Sequence, residues 1–143
     1  MAAQNMKQLE SLIKKKVSNA LMTDVAPRAK NTMKEKIDDC VYSVYSPTMY
    51  EREKENGGLT DDANILISLI GDTTLSVESH RMDGDRNVSE IVESGVGYQY
   101  DFEYNGRPRR FTEATREELR DTGSHIAALY SGLKKQGLDV KVR

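Results

Sequence analysis

Residues 6–44 read MKQLESLIKKKVSNALMTDVAPRAKNTMKEKIDDCVYSV, and apolar residues recur along them in steps of three and four. This spacing places the apolar side chains on one face of a helix. Pro27 interrupts the segment, because a proline lacks a backbone donor and its ring clashes with the preceding turn. We therefore predict two helices, or one bent helix, that meet near residues 23–27. The apolar positions are Met6, Leu9, Ile13, Val17, Leu21, Val25, Ala29, Met33, Ile37, Val41 and Val44.

The predicted helical arm, residues 1–46, is too long for a compact domain. It ends at Ser46-Pro47, because the residue before a proline is disfavoured in helical backbone. About 40 helical residues would span roughly 60 Å, whereas a domain of this size is roughly 30 Å across. Part of the arm must therefore fold back, or project and pack on a neighbouring molecule.

Residues 59–111 predict a β-rich body. Asn64–Ile70 and Thr74–His80 are apolar or alternating segments on either side of a polar turn, which is typical of an antiparallel hairpin. Val88–Ser94 has the pattern of a short helix that is closed by Gly95, and the polar segment Met82–Asn87 before it predicts a loop.

Aromatic residues alternate with polar ones from residue 98 to residue 104, which places the rings on one face of a predicted strand. Asn105-Gly106 is a strong signal for a hairpin turn, so residues 107–111 would be the return arm. Pro108 favours an edge position for that arm. The aromatic residues of the strand are Tyr98, Tyr100, Phe102 and Tyr104.

Residues 112–143 predict a C-terminal helix followed by a short strand. The helix would begin near Thr112 or Thr115, where Thr115–Glu118 matches a capping box, and end at Gly137. Alternation from residue 138 to residue 142 predicts the strand. The chain is thus predicted to be a single α+β domain, residues 1–143. It has a long kinked N-terminal helix, a small antiparallel or mixed sheet of about four strands, and a C-terminal helix packed on the sheet.

Charge is distributed unevenly along the chain, although 21 basic and 23 acidic residues give a net charge of −2. Residues 1–40 carry +3, residues 41–106 carry −9 and residues 107–143 carry +4. So small a total excludes a protein that coats polyanions in general. Basic ends around an acidic middle are typical of subunits that pack head to tail, although ordinary solvated faces give the same pattern.

The sequence has no catalytic or metal-binding pattern. His80 and His125 lack the neighbouring ligands that a metal site needs, and nothing beside Cys40 lowers the pKa of its thiol. Asp83–Asn87 begins like a calcium loop, but Val88 stands where that loop requires glycine. We therefore expect no enzymatic activity, no metal and no cofactor.

Three arginines, Arg107, Arg109 and Arg110, lie next to the aromatic residues and leave a nucleic-acid alternative open. Arginines and stacked rings together are the usual components of a site for single-stranded nucleic acid. Against this, Asp101 and Glu103 on the same segment would repel a phosphate backbone. A tyrosine stripe at strand spacing is more often part of a core or of a subunit interface.

Residues 41–59, VYSVYSPTMYEREKENGGL, resemble a motif of small structural proteins from tailed bacteriophages of Gram-positive hosts. That motif reads V-Y-x-x-Y-x-P-x-x-Y-x-R and then N-G-G-L, after a long N-terminal helix. Later segments are similar to the same family: residues 92–98, Arg107-Pro108, Phe111, Glu117–Leu119 and residues 128–134.

The resemblance implies a minor virion protein of the tail-completion or head–tail joining family, with an α+β fold. Such proteins form rings, commonly hexameric, at the phage neck or tail end. The ring joins the tail tube to the head connector, and DNA passes through its centre. A tail terminator or a connector adaptor is an alternative in the same class. A small phage nucleic-acid-binding or nuclease-like factor is the alternative from another class.

The resemblance also implies the partners. They are further copies of the chain and the neighbouring neck and tail-tube proteins, with no membrane and no sequence-specific DNA contact. The location would be the virion, after assembly in the host cytoplasm, and the single cysteine is consistent with a reducing compartment. We expect an acidic channel lining, because DNA must slide through it without sticking. The candidate interface residues are Tyr42, Tyr45, Pro47, Tyr50, Arg52, Gly57, Gly58, Leu59, Tyr98, Tyr100, Arg107, Pro108, Arg110 and Phe111.

Overall fold

A computed structural model describes residues 5–47 and 51–141. It confirms the α+β class, with a long N-terminal helix, four short strands and helices at the C-terminal end. The four strands form two separate antiparallel pairs instead of one sheet.

The N-terminal helix runs without interruption from Met6 to Tyr42. It consists of α1 (Met6–Ala20), a π-helical turn (Leu21–Val25), α2 (Ala26–Ile37) and a second π-helical turn (Asp38–Tyr42). Asn5 caps its start, since the Asn5 side chain accepts a hydrogen bond from the Gln8 amide at 2.9 Å. At its other end the helix stops at Tyr42, a few residues before the predicted boundary at Ser46-Pro47.

The first π-helical turn lies directly before Pro27. In it the Ala26 amide donates to the Leu21 carbonyl, five residues earlier. A proline cannot donate to the preceding turn, and a π-helical turn is one of the ways in which a helix absorbs such a defect. Of the two predicted alternatives, the single continuous helix is the one observed.

The predicted first hairpin is confirmed as β1 (Ile65–Ile70) and β2 (Thr74–Ser79). The strands pair antiparallel, with Ile67 opposite Val77. The predicted polar loop of residues 82–87 is wrong in part, because it contains a minimal second pair, β3 (Met82–Asp83) and β4 (Arg86–Asn87).

The predicted short helix is confirmed as α3 (Val88–Ser94). Gly95 closes it with a φ of 77°, which favours glycine. A side chain at Gly95 would also collide with the Arg107 backbone, which crosses directly above it. This close approach anchors the segment that follows α3.

The predicted hairpin of residues 98–104 and 107–111 is wrong, because the segment from residue 96 to residue 110 contains no strand. The turn at Asn105-Gly106 does form, closed by the Arg107 amide, which donates to the Tyr104 carbonyl at 3.0 Å, but its return arm then bonds to α3 and the Gly95 cap instead of forming a strand pair. The Gly106 amide donates to the Gly95 carbonyl at 2.7 Å, and the Arg109 amide donates to the Val92 carbonyl at 3.0 Å. The rings of Tyr98, Phe102 and Tyr104 surround Arg109 instead of lining one sheet face, and the Tyr100 ring is exposed.

The predicted single C-terminal helix is two helices, α4 (Phe111–Thr122) and α5 (Ser124–Lys135). Gly123 separates them with a φ of 64°. The predicted capping box is wrong, because Thr115 is buried inside α4. The N-terminus of α4 is capped instead by Glu93 of α3, whose carboxylate accepts hydrogen bonds from the amides of Thr112 and Glu113 at 3.0 and 3.3 Å.

The C-terminal helices pack on the N-terminal helix, and not mainly on a sheet as predicted. Helix α4 lies along α2, and α5 crosses the first π-helical turn and the end of α1. Gly132 permits this crossing, since a side chain there would collide with Asp24 and Ala20. Residues 138–141 have no regular structure, so the described part of the predicted last strand is wrong.

One hydrophobic core joins α2, the segment before β1, α3 and the start of α4. Phe111 and Ile37 are its most deeply buried large side chains, with no exposed surface. This core cluster is formed by Met33, Ile37, Val41, Leu59, Ile65, Val92 and Phe111.

Candidate interaction site

An arginine surrounded by aromatic rings lies where the segment after α3 meets the end of the N-terminal helix. Arg109 is only 7% exposed. Its Nη2 donates to the Tyr98 hydroxyl at 2.8 Å. Its guanidinium carbon lies 4.7 Å from the centre of the Tyr104 ring and 5.8 Å from that of Phe102. A desolvated guanidinium over aromatic faces is held by cation–π attraction.

The rings also contact one another and the helix end. Phe102 lies 4.6 Å from Tyr98, edge to face, and 5.3 Å from Tyr45 between ring centroids. The Tyr104 hydroxyl donates to the Val44 carbonyl at 3.3 Å. Tilted and edge-to-face ring pairs are the favoured aromatic geometries. These contacts attach the segment to the residues that directly follow the helix, Val44 and Tyr45.

A second arginine extends the cluster. Arg52 Nη1 donates to the Tyr42 carbonyl at 3.0 Å, and its guanidinium lies 4.9 Å from the Tyr42 ring centroid. The Tyr42 hydroxyl in turn accepts a hydrogen bond from the Leu59 amide at 3.2 Å. Burial raises the pKa of Tyr42 above its ordinary value, because a buried phenolate would lose its hydration. We call Tyr42, Tyr45, Arg52, Tyr98, Phe102, Tyr104 and Arg109 the aromatic–arginine cluster.

The backbone amide and carbonyl of Gly57, in the segment before β1, both make hydrogen bonds to side chains. Its amide donates to Asp61 Oδ2 at 2.7 Å, and its carbonyl accepts from Asn64 Nδ2 at 3.0 Å and from Arg81 Nε at 2.9 Å. The predicted interface glycine therefore has a role in shaping the chain before β1.

The predicted interface residues fall into three groups. Phe111, Leu59 and Gly58 are buried, and the first two belong to the core, so they stabilise the fold and present no surface. The half-buried ones are Tyr42, Tyr45, Pro47, Arg52, Gly57 and Tyr98. The exposed ones are Tyr100, Arg107, Pro108 and Arg110, with Tyr100 80% exposed. Tyr50 lies outside the described residues.

The three arginines of the nucleic-acid alternative do not share a surface. Arg109 is buried in the cluster, whereas Arg107 and Arg110 are exposed. The strand face that would have carried the rings is not formed.

The part of the chain that the structure describes contains no group of three histidine, cysteine, aspartate or glutamate side chains that could hold a metal ion. Burial, and the neighbouring Asp39 carboxylate, raise the pKa of the Cys40 thiol, so little reactive thiolate forms. Within residues 5–47 and 51–141, no helix is both long and apolar enough to cross a membrane.

An exposed apolar stripe on α1 is not among the candidate interface residues, although the overlong helical arm is predicted either to fold back or to project and pack on a neighbour. Met6 is 78% exposed, and Leu9, Leu12 and Ile13 are each about 40% exposed. Every residue from 5 to 15 is exposed, so this end of the helix stands clear of the core. We call Met6, Leu9, Leu12 and Ile13 the N-terminal stripe.

Comparison with known proteins gives one family. The YomN family model matches residues 5–135. A Bacillus subtilis (strain 168) protein described as SPbeta prophage-derived uncharacterized protein YomN is 36% identical over 110 residues, which cover 75% of this chain and 74% of the relative. No solved structure matches the chain.

Proposed function

The chain belongs to the YomN family, which is phage-derived, and on that premise we propose that it is a non-enzymatic structural protein of the virion. It forms a ring at the phage neck or tail end, joins the tail tube to the head connector, and lets DNA pass through the centre. Its partners are copies of itself and the neighbouring neck and tail-tube proteins.

The exposed N-terminal stripe is the observation that carries this proposal. Isolated apolar residues on a surface are ordinary, but four in helical register on one projecting helix end mark an interaction surface. A chain that leaves such a stripe uncovered completes its burial by assembly. The separation of basic ends from an acidic middle supports head-to-tail contact between copies.

The exposed rim of the aromatic–arginine cluster is the surface we assign to other neck or tail proteins. Tyr100 and Pro108 offer apolar contacts there, and Arg107 and Arg110 offer charge. Tyrosine and arginine are the residue types that contribute most to binding at protein interfaces.

Deletion of the gene from a phage that carries it tests the proposal. We expect electron micrographs of the lysate to show DNA-filled heads and finished tails that are not joined, with joining restored by the chain supplied from a plasmid. Tails of uncontrolled length would favour the terminator alternative. Normal joined particles would contradict the proposal.

The charge of the channel lining can be tested on the purified ring. We expect an acidic lumen, because like charge keeps the passing DNA mobile. An electrostatic map of the assembled ring with a strongly basic lumen would contradict this part of the proposal.

A further inference from the structure

The N-terminal stripe continues the face by which α1 packs on α5. Ala20 on that face is fully buried beside Gly132, and Lys16 Nζ donates to the Gln136 carbonyl at 2.7 Å. Helix α5 ends at Lys135, so the same face of α1 is covered at one end and exposed at the other, where Leu9 and Ile13 lie. The stripe is thus the part of an apolar packing face that α5 does not cover.

The outer face of the β1–β2 hairpin is a second uncovered apolar surface. Ile70 is 63% exposed and Leu66 is 44% exposed, whereas Ile65 on the opposite face is buried. Leu66 and Ile70 are four residues apart, or about 13 Å along a strand. Met6 and Ile13 are seven residues apart, or about 10 Å along a helix. The two surfaces therefore match in length.

The two elements carry opposite net charges. Helix α1 as a whole carries +3, from Lys7, Lys14, Lys15 and Lys16 against Glu10, with Lys14 and Lys15 on the side that faces the chain's own hairpin turn. Residues 65–79 carry no basic residue and two acidic ones, Glu78 and, at the turn beside the chain's own α1, Asp72, which gives −2. Glu78 stands directly opposite Leu66 in the register, on the same outer face. Two α1 helices would instead bring +3 against +3, so this charge disfavours a symmetric helix pair.

A chain cannot cover its own stripe with its own hairpin. The hairpin turn lies against the other side of α1, where Ser18 donates to the Asp72 carbonyl and Ser11 and Lys15 line a groove with Leu69. Positions two apart on a helix, such as Leu9 and Ser11 or Ile13 and Lys15, point about 200° apart. The stripe and the hairpin therefore lie on opposite sides of the helix.

We propose that the N-terminal stripe of one chain docks on the outer face of the β1–β2 hairpin of a second copy. The contact joins two different patches, so each added copy leaves one of each free, and the series ends only when a ring closes. This inference rests on the proposed ring-forming role and names the surfaces that build the ring.

Cysteine pairing tests the contact in the full chain, in a Cys40→Ala background that removes the only native thiol. We expect a chain with both Ile13→Cys and Ile70→Cys to give a ladder of disulfide-linked dimers, trimers and larger species under mild oxidation. An equal mixture of the two single variants should stop at dimers, because each chain then has one reactive patch. The ladder should weaken at high salt, which screens the complementary charges.

Several outcomes overturn the contact. Dimers from Ile13→Cys alone would show a symmetric helix pair, and an intramolecular disulfide in an Ile13→Cys, Val140→Cys chain would show that the C-terminal segment covers the stripe. Linking of Ile13→Cys to Tyr100→Cys in place of Ile70→Cys would move the docking face to the cluster rim. A chain that stays monomeric at every concentration also overturns it.

A surface variant gives the same test without cysteines. We expect Ile13→Asp to raise the concentration of half-dissociation at least tenfold, roughly the effect of losing one central interface side chain. Tyr100→Asp is the matched control and should leave the concentration of half-dissociation unchanged.

If rings form without the 13–70 link, the contact is wrong and the proposed function stands. If phage without the gene assembles normally, the function itself fails.

Discussion

The aromatic–arginine cluster and the N-terminal stripe are both rich in apolar side chains, yet they differ in what those side chains contact. In the cluster, Arg109 is 7% exposed and surrounded by rings of its own chain. In the stripe, Met6 is 78% exposed and stands on a helix end beyond its last packing partner. The first region makes most of its contacts within the monomer, and the second does not.

This difference teaches that residue type alone does not identify an interface. Tyrosine and arginine are enriched at interfaces because one end of the side chain is apolar and the other polar. The same property lets Tyr98 and Arg109 satisfy each other inside one chain. The aliphatic residues at the start of α1, by contrast, are exposed in the monomer. We therefore expect cluster variants to change folding and stripe variants to change assembly.

Removal of the Arg109 side chain should have the largest effect on folding. Arg109→Ala loses a hydrogen bond from a charged donor and a desolvated cation–π contact, and we expect the free energy of unfolding to fall by about 2–4 kcal/mol. Urea unfolding followed by circular dichroism measures the change. Arg107→Ala, an exposed arginine on the same segment, is the control and should cost less than about 0.5 kcal/mol.

Ile13→Ala is the corresponding test of the N-terminal stripe. It should leave the unfolding free energy of the monomer unchanged while weakening self-association. Equal losses from Arg109→Ala and Ile13→Ala would break the distinction between the two regions.

Loss of one hydroxyl should give a smaller effect. Tyr98→Phe keeps the ring contact with Phe102 but leaves an Arg109 nitrogen without its acceptor. Arg109 Nε already has no hydrogen-bond partner among the described residues. We expect a loss of about 1–2 kcal/mol, the usual cost of an unsatisfied buried donor.

Tyr100→Phe is the matched control, since that ring is 80% exposed. It should change stability by less than about 0.5 kcal/mol. A Tyr98→Phe chain as stable as the Tyr100→Phe chain would show that the cluster depends on its rings and not on the hydroxyl.

Local signals made part of the fold predictable from sequence. Helix α3 was predicted at its true bounds because the turn of Gly95 is encoded at that position. The segment 98–104 was predicted wrongly because alternation describes a strand face and a loop around a cation equally well. The bonds that decide between them, from Gly106 to Gly95 and from Arg109 to Val92, join residues that the periodicity does not relate.

The candidate site shows the same limit. Met6 and Ile13 obey the same helical spacing as Met33 and Ile37, yet the first pair is exposed and the second is core. Periodicity shows which face is apolar, but only the ends of α4 and α5 decide how far along the helix that face is covered. Phe111 is a candidate interface residue in the sequence, among the residues that carry the family resemblance, yet it is fully buried in the core.

The smallest expected effect comes from pH and belongs to the cluster. Burial raises the pKa of Tyr42, so the folded chain holds that proton more tightly than the unfolded chain does. The resulting stability is fully present below about pH 10, the ordinary value for tyrosine, and is lost as pH rises through the higher folded-state pKa.

We expect urea unfolding in the Ile13→Asp background, which keeps the chain monomeric, to show stability falling as pH rises above about 10. Tyr42→Phe should make that fall shallower, because it removes the hydroxyl whose pKa is raised by burial. An identical pH profile with and without the Tyr42 hydroxyl would mean that this ring is less enclosed by Arg52 and Leu59 than the geometry indicates.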